Sequence, residues 1–79
     1  MEREKLRELR LSKNMTQKEL ASTLDISTVY VRKIEKGTAT PGLLTMIKYE
    51  TFFHVDMKIL FNDIFFDNND KKCIKELIV

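Results

Sequence analysis

Thr16-Gln-Lys-Glu-Leu-Ala-Ser-Thr-Leu-Asp-Ile-Ser-Thr-Val-Tyr-Val-Arg-Lys-Ile-Glu-Lys-Gly37 reads as two short helices joined by a tight turn. Thr16 is a good N-cap for the first, and Glu19 three residues later completes a capping box. Leu20, Ala21 and Leu24 then share one apolar face. Ala21 is small enough to let a second helix approach closely. Asp25 suits the turn because aspartate tolerates the left-handed conformation, and Ile26 is placed to plug the angle between the helices. The second helix takes Ser27 as N-cap and Gly37 as its left-handed stop. At about 100° per residue, Thr28, Val29, Arg32, Lys33 and Lys36 fall on one arc, and Tyr30, Val31 and Ile34 on the other. The apolar arc must face a core. The polar arc carries three cations, a hydroxyl and a small apolar group, with no acid. That is the equipment of a helix in the DNA major groove: Lys and Arg for phosphates or guanine edges, Thr and Val for thymine methyls. A solvated surface helix can also be basic on one face. The bend before this helix and the small Ala21 favour the groove.

Outward from this pair, residues 2–13 have the pattern of an amphipathic helix with Leu6, Leu9 and, less regularly, Leu11 on its apolar side. Asn14 can end it in a left-handed cap, and Met15 turns back toward the core. On the other side, residues 37–41 are a loop. Thr40 suits N-cap and Pro41 the first position of a helix running to about Phe53. Leu43, Leu44, Ile47, Phe52 and Met46 predict a wide apolar face for it. His54-Val55 is a short turn, and Asp56 caps a last short helix containing Met57, Ile59, Leu60 and Phe61. The expected fold is therefore all-α, a compact five-helix domain over 1–61 with a short C-terminal extension, helix or hairpin, over 62–79. In that extension Ile64, Phe65, Phe66, Ile74, Leu77 and Ile78 are too much apolar surface to leave in water. They either close the core or build a dimer interface, and the dimer is preferred.

The 79 residues allow one small core, a size that gains from dimerisation. There is no long apolar run, and the charged start is unlike a signal peptide, so the expected location is the cytoplasm, with no membrane partner. Net charge is only +2, but residues 1–60 hold 11 basic and 8 acidic groups against 3 and 4 in the remainder. What matters is the basic groups of the motif, because phosphate contacts are local. One cysteine, Cys73, and one histidine, His54, argue against an internal disulfide, a metal site or a haem. No cofactor is expected. No acid pair, nucleophile–base set or glycine-rich phosphate loop is present, so an enzyme is not expected.

Gln17, Ala21, Val31, Ile34, Glu35, Lys36, Gly37 and Pro41, taken together, resemble the helix-turn-helix of the phage repressor/Cro family, often called XRE-type. The resemblance extends over roughly residues 3–61. It implies a lambda-repressor-like fold, a double-stranded DNA operator as partner, and residues 28–36 as the recognition helix. It further implies base contacts from Thr28, Val29 and Lys33, with Arg32 on a base or a phosphate. Phosphate contacts are implied for Gln17, Lys36 and Thr38, and Lys13 is a further candidate. In the family an arginine of the first helix pairs with the glutamate near the end of the recognition helix; the matching residues are Arg10 and Glu35. Glu35 lies at the edge of the inner face and needs a cation on physical grounds as well. The family usually has glycine where Asp25 and His54 stand; both replacements tolerate a left-handed turn at modest cost. The leading expectation is a homodimeric transcription regulator, a repressor of phage, prophage or plasmid type. The alternative is an antitoxin- or adaptor-like module that grips a protein partner with its apolar tail, with DNA binding secondary.

Overall fold

The caps written into the sequence set the helix ends. Thr16 Oγ1 accepts from the Glu19 amide at 3.0 Å, and Glu19 Oε1 accepts from the Thr16 amide at 2.8 Å. Ser27 Oγ accepts from the Tyr30 amide at 3.0 Å. Asn14, Asp25 and His54 take left-handed φ values of 56°, 57° and 57°, and Gly37 takes 82°. Each stands where a helix stops, since a left-handed residue lets the chain turn while its N–H still caps a carbonyl. The computed structural model describes residues 2–65. Six helices follow one another: α1 (Glu4–Ser12), α2 (Gln17–Leu24), α3 (Thr28–Lys36), α4 (Leu43–Phe53), α5 (Met57–Leu60) and α6 (Asn62–Phe65). No strand occurs among the described residues. Phe66, Cys73, Ile74, Leu77 and Ile78 lie outside them.

α2 and α3 form the most extensively packed pair, with α1 against α3 and α4 against α2. The core is Leu6 from α1; Leu20, Ala21 and Leu24 from α2; Val31 and Ile34 from α3; Met46, Tyr49 and Phe53 from α4; and Leu60 with Phe61. Ile26 and Met15 pack partly buried against it.

Two expectations need correction at α4. The helix starts at Leu43 with Gly42 as N-cap, two residues later than the Thr40-Pro41 signal implies. Pro41 is buried in the connector instead. Its apolar face is also different: Met46, Tyr49 and Phe53 face inward, whereas Leu43, Leu44 and Ile47 are 59, 76 and 39% exposed. Apolar residues occur nearly all round this helix, so periodicity could not choose its face. The choice was made by fit against α2 and α5, where the Tyr49 ring meets Phe61 edge-on at 5.4 Å. Ile59 is likewise exposed, at 57%. A sixth helix adds to the expected five. α6 follows α5 directly, and its Ile64 and Phe65 pack partly buried on the core.

The Tyr49 hydroxyl is buried with no hydrogen-bond partner among the described residues. Burial, and after it the negative charge of Glu35, hold its phenol well above the ordinary value. Tyr49→Phe removes an orphaned polar group and should stabilise the fold by ~1 kcal/mol. The ring and its packing stay. Because the folded phenol resists ionisation while the unfolded one ionises near its ordinary value, the fold is unaffected by this group's ionisation below pH about 10 and loses stability as pH rises above it. Denaturant titrations at pH 7 and pH 11 should show the Phe variant ahead at the first, and falling less steeply toward the second. A variant weaker than wild type at pH 7 would mean that the hydroxyl has a partner.

Candidate nucleic-acid interface

The outer face of α3 begins at the Ser27 cap and ends at Gly37. Val29 is 49% exposed. Arg32, Lys33 and Lys36 are exposed, and Thr28 is half-buried. The inner face, Val31, Ile34 and Glu35, is buried. The helix's one acid is thus buried, and its exposed side chains include three cations and no acid.

Glu35 is neutralised where it is buried. Arg10 Nε donates to Glu35 Oε2 at 2.7 Å and Arg10 Nη2 to Oε1 at 3.1 Å, a bidentate pair with side chains 9% and 5% exposed. Arg10 Nη1 donates to the Met15 carbonyl at 2.8 Å. Gln17 Nε2 donates to Glu35 Oε1 at 3.1 Å. One carboxylate therefore joins α1, the first residue of α2, and α3. The planar guanidinium fork suits this junction, since it satisfies both carboxylate oxygens and has a donor left for Met15. The hydrogen bond from Gln17 was not foreseen from the sequence. It occupies one of the two amide hydrogens and leaves the other at the half-buried start of α2.

Thr38 is exposed in the connector after α3, and its hydroxyl donates to the Lys33 carbonyl at 3.3 Å. The amides of Thr38 and Ala39 donate to the same carbonyl at 3.0 and 3.3 Å, so this connector is folded tightly against the end of α3. Lys13 stands apart. Its ammonium lies 5.2 Å from the Phe52 ring centroid, beside a groove between α2 and α4 lined also by Leu24 and Ile47. A cation that the sequence did not single out stands nearer: Arg7 lines a cleft with Gln17, Arg32, Glu35 and Lys36, along with Glu2 and Glu4. Nothing in the alternating charges of α1 distinguishes Arg7; only the packing of α1 on α3 does. Among the described residues no group of His, Cys, Asp and Glu could hold a metal ion, and no helix is long and apolar enough to cross a membrane.

The arrangement is a rigid basic helix, braced from behind, following a left-handed turn from a shorter helix. A model of the helix-turn-helix family matches residues 6–60, from within α1 to the end of α5. The chain belongs to the XRE-type helix-turn-helix family. This XRE-type protein is also similar to a solved structure, the restriction-modification controller protein C.AhdI from Aeromonas hydrophila. The two are 30% identical with a TM-score of 0.66, over 75% of this chain and 89% of that one. A search of curated proteins returned no match. As an XRE-type helix-turn-helix protein, the chain is a DNA-binding transcription regulator. Its family points to that role and not to an enzyme.

Proposed function

We propose that the protein binds double-stranded DNA as a homodimer on a two-fold operator, with α3 in the major groove, and represses transcription by occluding polymerase. The observation that carries this reading is the outer face of α3, where three cations stand beside Thr28 and Val29 while Glu35 is buried and paired. Thr28, Val29, Arg32 and Lys33 read base edges. Lys33 donates to guanine O6 and N7, and Val29 packs on a thymine methyl. Lys36, Thr38, and the free amide hydrogen of Gln17 at the N-terminus of α2 hold phosphates. Lys13, seated over Phe52, has no part in this surface.

Dimerisation is supported by the apolar patch of Leu43, Leu44 and Ile47, which is exposed among the described residues. Residues 62–79 are the second candidate for the interface. The similar controller protein supports the idea that one such domain suffices for a regulator, since 89% of its chain is matched here. Its description as a restriction-modification controller favours a regulator of that kind as much as one of phage type. The exposed patch also supports the second reading, a module that binds a protein partner; a stable homodimer in solution speaks against it.

Lys33→Ala should relax preference at one base pair by ~1–3 kcal/mol. Lys36→Ala should weaken all sequences alike and flatten the slope of log affinity against log salt by about one. Binding curves on a matched and a mismatched duplex at several salt concentrations separate the two. Unchanged affinity and preference in Lys33→Ala would sink this docking. Selection of bound duplexes from a random pool tests the whole reading: a symmetric site with half-sites about 34 Å apart is expected. A single half-site would mean a monomer, and no enrichment at low salt would end the operator reading.

A further inference from the structure

Arg3 and Arg10 are the buried cations among the described residues, and the helix-turn-helix geometry above uses only Arg10. Arg3 precedes α1 and is 7% exposed. Its backbone N–H donates to the Glu35 carbonyl at 2.8 Å. Its Nη1 donates to the carbonyls of Ile34 at 2.7 Å and Ala39 at 2.9 Å. Its Nε and Nη2 donate to Asp63 Oδ1 at 3.0 Å and Oδ2 at 2.9 Å. The guanidinium carbon lies 5.7 Å from the Phe61 ring centroid.

These contacts fall at one functional place. The last carbonyls of a helix have no partner within it. Ile34 and Glu35 supply two such carbonyls at the end of α3, and Arg3 takes a hydrogen bond to each, where a cation also complements the helix dipole. Ala39 belongs to the connector that carries Thr38. One guanidinium edge thus ties the end of α3 to that connector, and the other edge is held by a carboxylate of α6, 60 residues away in sequence. A lysine could not serve both edges, because it offers a point charge and no fork.

We propose that Arg3 is a positioning residue for DNA recognition: anchored by Asp63, its guanidinium sets the C-terminal end of the recognition helix, which bears Lys36, and the connector bearing Thr38. The inference rests on the DNA-binding reading and deepens it. It also makes α6, from which residues 66–79 lead, mechanically continuous with the DNA-facing end of α3.

The test uses the full chain with Arg3→Lys, Asp63→Asn and the double variant, each held below its own melting temperature. Two quantities are read: amide hydrogen exchange at Thr38 and Ala39 against Leu20 and Val31, and affinity for the selected duplex against an unrelated duplex of equal length. Arg3→Lys keeps the charge, so affinity for the unrelated duplex should stay within about twofold while affinity for the selected one falls about tenfold. Exchange should quicken at Thr38 and Ala39 and not at Leu20 or Val31. Asp63→Asn, at a half-buried site, should act in the same direction more weakly, and the double variant should be no worse than Arg3→Lys alone. Wild-type behaviour of Arg3→Lys on both duplexes overturns the proposal. So does a fall on both in step with the loss of folded protein, which marks a purely structural arginine. Wild-type protein that binds no duplex at low salt overturns the DNA reading and this inference with it, a result visible before any substitution is made.

Discussion

Arg10→Ala should leave much of the protein unfolded at room temperature. The substitution strands Glu35, 5% exposed, with only the Gln17 amide for company, and removes the donor from the Met15 carbonyl. Removing one partner of a buried ion pair costs ~3–5 kcal/mol, because the other charge stays buried. A single small core rarely supplies more than about that much net stability. Glu35→Ala should be comparably severe, since it leaves the Arg10 guanidinium buried without its carboxylate. The pair Arg10→Met with Glu35→Leu should cost less than either alanine alone, as neither charge remains to be desolvated. Urea titrations followed by circular dichroism measure all three. A loss below ~1 kcal/mol in Arg10→Ala would place the pair with ordinary surface ion pairs and remove the brace behind α3.

Phe61→Ala should cost a similar ~3–5 kcal/mol for a different reason. Phe61 is fully buried and stands at the joint between α5 and α6. Its ring is the edge-on partner of Tyr49, with 85° between the planes, and lies beneath the Arg3 guanidinium. Truncation opens a cavity between α4 and α5, and removes the apolar floor on which the Arg3–Asp63 pair rests. At about 4–8 °C per kcal/mol for a domain of this size, the melting temperature should fall by more than about 12 °C. Ile59→Ala is the internal control: its side chain is 57% exposed and should cost no more than ~0.5 kcal/mol. Calorimetry on both variants decides the matter. If Ile59→Ala lost as much as Phe61→Ala, the inward face of α5 would be misassigned.

The two variants touch parts of the molecule that were unequally readable in the chain. The α2–turn–α3 pair is local physics. A hydroxyl at Thr16 with Glu19 after it, a hydroxyl at Ser27, and Asp25 and Gly37 in left-handed φ satisfy backbone groups within a few residues. No distant contact is needed to predict them, which is why element type, turn positions and the basic outer arc of α3 were legible. Asn14 and His54 were legible as helix stops for the same reason.

The apolar side of α4 was not, because Leu43, Leu44, Met46, Ile47, Tyr49, Phe52 and Phe53 surround the helix and composition ranks none above the others. Nor was Lys13, a cation like any other until the fold seated it over Phe52. Arg3 reads from sequence as one charge in a charged terminus, and Asp63 as one acid in an apolar run.

The all-α class, the helix-turn-helix and the basic outer face along Thr28–Lys36 were legible in the chain, because they rest on caps, turns and periodicity a few residues long, and the family resemblance was legible in the spaced residues of the same stretch. The tertiary structure alone decided which side of α4 is buried, that Gln17 spends a hydrogen on Glu35, and that Arg3 meets Ile34, Ala39 and Asp63. Those contacts join residues up to 60 positions apart, and each depends on the angles at which helices pack. No local pattern encodes such an angle. It emerges from how the side chains of several helices fill one core.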